Sequence, residues 1–190
     1  MRTDLAGLVF IGGKSSRMGK DKAFLPFKGK PLFEWAYEKL NPFCEEVYLS
    51  VNESQFNRLK GPFSFSLIQD ATPAAGPMAA LIQSLAQIQT SLLVLPVDAP
   101  LISPQTVQEI ISSRDPNALA TLFYEPKAER WEPLIGIWEH KALTDLTAYQ
   151  QNGGKSFQKF LQHHSAKKVV AKRPSEFLNV NDPAAYDDLS

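Results

Sequence analysis

The chain has 190 residues, 44% of them hydrophobic, with 20 basic residues, 20 acidic residues and one cysteine. That length suits one α/β domain with a substantial core, and formal neutrality argues against nucleic acid or an anionic membrane as a bulk partner. Cys44 has no mate for an internal disulfide or a CxxC zinc site, so a reducing compartment, the cytoplasm, is expected. The opening MRTD and its minimal apolar run lack a signal-cleavage pattern, and no run approaches the roughly 18 apolar residues of a membrane span.

Strands are predicted at 5–11 (LAGLVFI), 46–51 (EVYLSV), 65–68 (FSLI), 91–97 (SLLVLPV) and 118–124 (ALATLFY). Several are nearly continuous apolar runs, as in strands buried on both faces. Helical patterns lie between them at 31–40 (PLFEWAYEKL), 76–89 (GPMAALIQSLAQIQ) and 103–113 (SPQTVQEIISS). The last opens with Ser103 as cap and Pro104 in the first helical position. Beyond Glu125 the pattern loosens to a strand around EPLIGIW, helices at about 140–150 and 156–163, AKKVVA, and the tail EFLNVNDPAAYDDL. Strand alternating with helix implies a mostly parallel central sheet with helices on both faces, a three-layer Rossmann-like α/β fold. No repeat, low-complexity tract or linker marks a boundary, so 1–190 reads as one domain.

In an open parallel sheet, ligands bind beyond the carboxyl ends of the strands. After the first strand comes GGKSSRMGKDKAFLPFKGK (12–30), with two adjacent glycines, one arginine and five lysines. Bare backbone N–H groups and fixed positive charge suit an anion with several oxygens, and the segment reads as a triphosphate cradle. It is not a Walker A loop, because Gly13 stands where the lysine belongs and Lys14 comes one place late. Nor is it a dinucleotide GxGxxG. Asn52 follows the second strand, Asp70 the third and Asp98 the fourth. A carboxylate at the end of so apolar a strand is costly unless paired, and a divalent cation would stabilise Asp98; the alternative is a turn cap before Pro100. The NVND tail supplies Asn179, Asn181 and Asp182, which alone read as an Asx turn.

Other residues take plainer readings. Lys14, Lys20, Lys28 and Lys30 read as solvated loop charges, His163 and His164 as residues at a helix end, and Cys44 as a packed thiol. Trp131 and Trp138 read as core, with a pterin-stacking wall as the alternative. NGGKS (152–156) reads as a glycine helix stop followed by a new helix, or as an acceptor-phosphate seat.

Together FIGGKSSRMGKDKAFLPFKGKPL, QDATPAAGPMAAL, LLVLPVDAPLI, EPLIGIW and FLNVNDPAAY resemble, in order and spacing, the MobA-type molybdenum cofactor guanylyltransferases of the nucleotidyltransferase superfamily. The resemblance runs from Leu8 to Asp187 and implies transfer of GMP from GTP to molybdopterin, with release of pyrophosphate. It places the nucleotide contact on Phe10, Ile11 and Gly12, with Gly13 adjoining, and the phosphate-binding lysine on Lys22. It assigns Arg17 to the phosphates, Asn52 and Asp70 to the nucleotide, Asp98 to Mg2+, and Asn179 and Asn181 to the region of metal and acceptor. Arg17, Lys22 and Asp98 are then the catalytic set. Ile11 stands where the family has alanine, with consequences only if it faces the ribose or base, and Met78 replaces a common leucine. Gly13 and Asp21 favour guanine over cytosine by resemblance.

No protein nucleophile is needed for such a transfer; positioning and charge stabilisation do the work. Implied partners are GTP and molybdopterin, with molybdopterin-delivering and molybdoenzyme-maturation proteins also compatible. Two alternatives stay open: a cytidylyl- or sugar-phosphate nucleotidyltransferase of the same fold, and a non-catalytic nucleotide-binding protein that delivers cofactor.

Overall fold

The computed structural model describes residues 3–12, 21–61, 65–71 and 76–177. Among them, seven strands form one sheet. These are β1 (Ala6–Phe10), β4 (Val47–Val51), β5 (Ser66–Gln69), β6 (Leu92–Pro96), β7 (Ala120–Glu125), β8 (Arg130–Trp138) and β9 (Ala166–Val169), in the order β5-β4-β1-β6-β8-β7-β9. β1 pairs in parallel with both β4 and β6, β4 with β5, and β7 with β9; β8 alone runs antiparallel, between β6 and β7. The mostly parallel sheet expected from the sequence is borne out. Every residue of β1 and β6 is buried, which explains runs too continuous to alternate.

Helices cover both faces. Val9, Ile11, Leu93, Leu95 and Phe123 form one core with α1 (Leu32–Leu40), α2 (Glu53–Leu59) and α4 (Pro104–Ser112). Leu8, Phe10, Val94, Leu122 and Trp138 form the other with α3 (Gly76–Ile88), α5 (Ala142–Gln151) and α6 (Phe157–His163). Ser103 caps α4 as expected, accepting from the Thr106 N–H at 3.3 Å, with Pro104 behind it.

Two elements were not foreseen. Residues 53–59 form α2, and Pro26–Phe27 (β2) and Lys30–Pro31 (β3) form a small hairpin around Lys28 and Gly29. The hairpin uses the end of the lysine-rich segment for structure: Lys30 pairs with Glu38 at 2.6 Å.

Trp138 is fully buried and donates its indole N–H to the Pro133 carbonyl (2.8 Å), and Trp131 packs edge-on against Tyr124 with 6% exposure; both are core. NGGKS is a helix stop. The Gly153 and Gly154 N–H groups return to the Gln150 and Tyr149 carbonyls, and Ser156 caps α6. His164 stacks on Phe160 with ring centroids 3.9 Å apart. Cys44 is buried, which pushes its thiol up to about 12. No helix among the described residues is long and apolar enough to cross a membrane.

Candidate functional site

Because β5, β4, β1 and β6 are parallel, their carboxyl ends lie on one rim. The chain leaves β1 toward β4 and β5, then returns to β6 on the other side of β1. That reversal creates a crevice between β1 and β6, the place where open α/β sheets bind ligands. The Val97 N–H donates to the Phe10 carbonyl at 3.0 Å, which fastens the start of the Asp98 turn to the end of β1.

On the β4 side, Gly12 meets Asp70. A Cβ at Gly12 would lie 2.9 Å from Asp70 Oδ2, so any side chain here would have to displace that carboxylate. Asp70 Oδ1 accepts from the Ser50 hydroxyl at 2.8 Å, and the Asp70 N–H donates to the Val51 carbonyl. Burial pushes the Asp70 carboxyl above its ordinary range, and the Ser50 hydrogen bond opposes that rise. The Ile11 and Gly12 N–H groups both point to the Ser50 carbonyl, at 3.1 and 3.2 Å. The side chains of Phe10 and Ile11 enter opposite cores, with 6% and 3% exposure.

On the β6 side, the turn after the strand is closed by backbone bonds from Ala99 to Pro96 and from Ile102 to Ala99, and Asp98 is partly buried within it. Lys22 starts a 3₁₀ turn, Lys22–Phe24, whose N-cap is Asp21: Asp21 Oδ1 accepts from the Ala23 N–H at 3.1 Å. Burial lowers the proton affinity of Lys22, and the negative charge of Asp98 raises it. Lys22 therefore lies within electrostatic reach of Asp98. Gly13, Arg17, Asn179 and Asn181 lie outside the described residues.

Asn52 caps α2: its side chain accepts from the Gln55 N–H at 3.0 Å, and Gln55 Oε1 accepts from the Asn52 N–H at 3.0 Å. This capping box was legible as N-x-x-Q after a strand. Gln55, 1% exposed, also donates from Nε2 to the Ile11 carbonyl and to Asp21 Oδ2, each at 2.9 Å.

A second residue was missed by the sequence reading. Lys39 is 8% exposed and donates to the carbonyl of Pro100, two residues beyond Asp98. Its depressed proton affinity, down to about 8, comes first from burial; Glu176 works against the fall and Lys28 adds to it. Glu176 itself accepts from the Ser103 N–H (2.9 Å) and the Thr106 hydroxyl (2.6 Å) and pairs with Arg173 at 3.2 Å. Phe177 packs on Phe123 with centroids 4.8 Å apart, so residues 174–177 are docked beside the loop that carries Asp98.

Among the described residues no three His, Cys, Asp or Glu side chains group as a metal cage. Asp98 offers a single carboxylate, which fits a cation such as magnesium that takes one or two carboxylates and fills the rest of its shell from substrate phosphates and water.

A doubly wound α/β sheet with Asp98 after the strand at its switch point, and Lys22 within electrostatic reach, suits a nucleotide-handling domain. Residues 7–169 match the MobA-like NTP transferase domain, and the chain belongs to that family. A probable molybdenum cofactor guanylyltransferase from Nostoc sp. is 32% identical over 199 residues, covering 98% of this chain and 94% of the relative. The molybdenum cofactor guanylyltransferase of a Shewanella strain is 27% identical, covering 100% and 97%. In structure, the molybdopterin-guanine dinucleotide biosynthesis protein A of Archaeoglobus fulgidus superposes with a TM-score of 0.82 at 21% identity, over 97% of this chain and 96% of its own. A Mycobacterium tuberculosis protein solved in complex with manganese shares the fold at a TM-score of 0.67 and 15% identity, over 100% and 98%.

Proposed function

We propose that this protein transfers the GMP part of GTP to molybdopterin, forming molybdopterin guanine dinucleotide and pyrophosphate, with Mg2+ as the working cation. Residues 1–190 then act as one nucleotidyltransferase domain, in the cytoplasm. Membership of the MobA-like family, and relatives known as molybdenum cofactor guanylyltransferases over their full length, support the reaction and substrates. The observation that carries the reading is Asp98 following β6 at the β1–β6 switch point, with Lys22 within its electrostatic reach.

In the reaction an acceptor phosphate oxygen bonds to the α-phosphorus of GTP, and the bond to the β-phosphate breaks, its electron pair leaving on pyrophosphate. The obstacle is electrostatic, since two anions approach and a third departs. Asp98 is the residue that would hold magnesium, and the ion would supply neutralisation of charge on the phosphates. Burial lowers the proton affinity of Lys22, Asp98 opposes that fall, and the charge of an arriving triphosphate would oppose it further. Gly12 adds no side chain of its own at the exit of β1, where Asp70 stands beside it. Arg17 on the phosphates, Gly13, Asn52 and Asp70 on the nucleotide, and Asn179 and Asn181 toward the acceptor complete the proposed set.

The test is pyrophosphate release with molybdopterin and GTP, CTP, ATP or UTP, with and without Mg2+. Turnover is expected with GTP and magnesium, and Lys22→Ala and Asp98→Ala should each lose at least about 100-fold in kcat while melting cooperatively. Preference for CTP, or near-parental rates in both variants, would overturn the proposal.

A further inference from the structure

The buried amide of Gln55 has both of its hydrogens and its oxygen engaged. Ile11 and Asp21 present only acceptors to it, and Asn52 presents an N–H, so the orientation of the amide is fixed by its neighbours. The capping box of α2 needs only an oxygen at this position, and glutamate supplies one as well as glutamine does. Glutamate would, however, set a carboxylate against the Ile11 carbonyl and the Asp21 carboxylate. The choice of an amide therefore answers to the two acceptors and not to the helix.

We infer that Gln55 is a positioning residue for nucleotidyl transfer. It ties the carbonyl that precedes Gly12 to the carboxylate that precedes Lys22, and so fixes the exit of β1 relative to the turn that Lys22 begins. Asp21 passes the restraint on, because its other carboxylate oxygen caps the turn that Lys22 begins. The inference rests on the guanylyl-transfer reading for its catalytic consequence and on geometry alone for the placement of Lys22.

Two readouts separate these. The first is acetylation of Lys22 by N-hydroxysuccinimidyl acetate, followed by peptide mass spectrometry in the parent and in Gln55→Glu, with exposed Lys60 as the internal reference. Release of the turn should speed Lys22 labelling several-fold and leave Lys60 unchanged. The second is kcat/KM for GTP in pyrophosphate release, expected to fall about 30-fold, the worth of two buried hydrogen bonds. Should Gln55→Glu not fold, Gln55→Met, uncharged and of similar volume, takes its place in both measurements. Unchanged Lys22 labelling, or unchanged kcat/KM in an active folded variant, overturns the inference. Faster labelling in a protein whose parent shows no GTP turnover upholds the placement and tells against the guanylyl-transfer reading instead.

Discussion

Replacing Lys39 by methionine should change how stability depends on pH, and the change can be worked out in advance. In the folded protein the Lys39 ammonium is disfavoured to about 8 from an ordinary value of 10.5, chiefly by burial. Between those two values the unfolded chain holds more protons than the folded one, so stability rises with pH, by at most about 1.4 kcal/mol per unit. Across the window from about pH 8 to 10.5 the rise sums to about 3 kcal/mol. Methionine fills a similar volume and does not titrate, so Lys39→Met should lose that rise. Near pH 7 it should be at least as stable as the parent, because removing a buried charge in favour of an apolar side chain is often neutral or stabilising. Other groups contribute in the same range. Cys44, held at about 12 when folded, makes both proteins less stable above about pH 9 and cancels in the difference. Urea unfolding of parent and variant at intervals from pH 7 to 10.5 gives that difference directly. The parent should gain on the variant by about 3 kcal/mol over the range, and a flat or falling difference would refute a buried ammonium at this place.

Two glycine substitutions probe the sheet and its rim. Gly136 has φ +153, and a Cβ there would lie 2.5 Å from the Thr121 carbonyl, opposite Leu122 where the β7–β8 register shifts. Gly136→Ala should therefore cost about 3 kcal/mol or more in chemical denaturation, and a loss under 1 kcal/mol would show that the strands give way easily. At Gly12 the obstacle is a side chain, Asp70 Oδ2 at 2.9 Å, so Gly12→Ala should displace the carboxylate, leave the fold nearly as stable, and raise KM for GTP about 10-fold.

What could be read in advance follows from where the information lies. β1 and β6 declare themselves because strands buried on both faces need side chains that are apolar without interruption. Ser103-Pro104 marks the start of α4 because the cap and the proline act within one turn. By contrast α2 is seven residues long, and ESQFNRL carries only Phe56 and Leu59 as large apolar side chains, too few to register a period. Its capping box was still visible as N-x-x-Q; what could not be seen was that Gln55 also reaches Ile11 and Asp21, 44 and 34 residues away. Lys39 lies on the apolar face of α1 with Leu32, Ala36 and Leu40, so its burial was implied by helical spacing. Its partners were not, because Pro100 and Glu176 arrive through tertiary structure.

The same division explains why Ile11 can stand where the family resemblance leads one to expect alanine. Successive side chains of a strand point to opposite faces, and at the end of β1 this sends Phe10 into the core shared with α3 and α5, and Ile11 into the core shared with α1 and α4. The backbone there is committed as well: the Phe10 carbonyl takes the Val97 N–H, the Ile11 N–H goes to Ser50, and the Ile11 carbonyl takes Gln55. A larger side chain at position 11 is thus a matter of volume in the core that also holds Val51 and Ala23. The first position at which an added side chain would enter the rim is Gly12, against Asp70. Chemistry at this rim therefore rests on residues that follow the strand ends, and the last strand residues serve it by holding those ends in register.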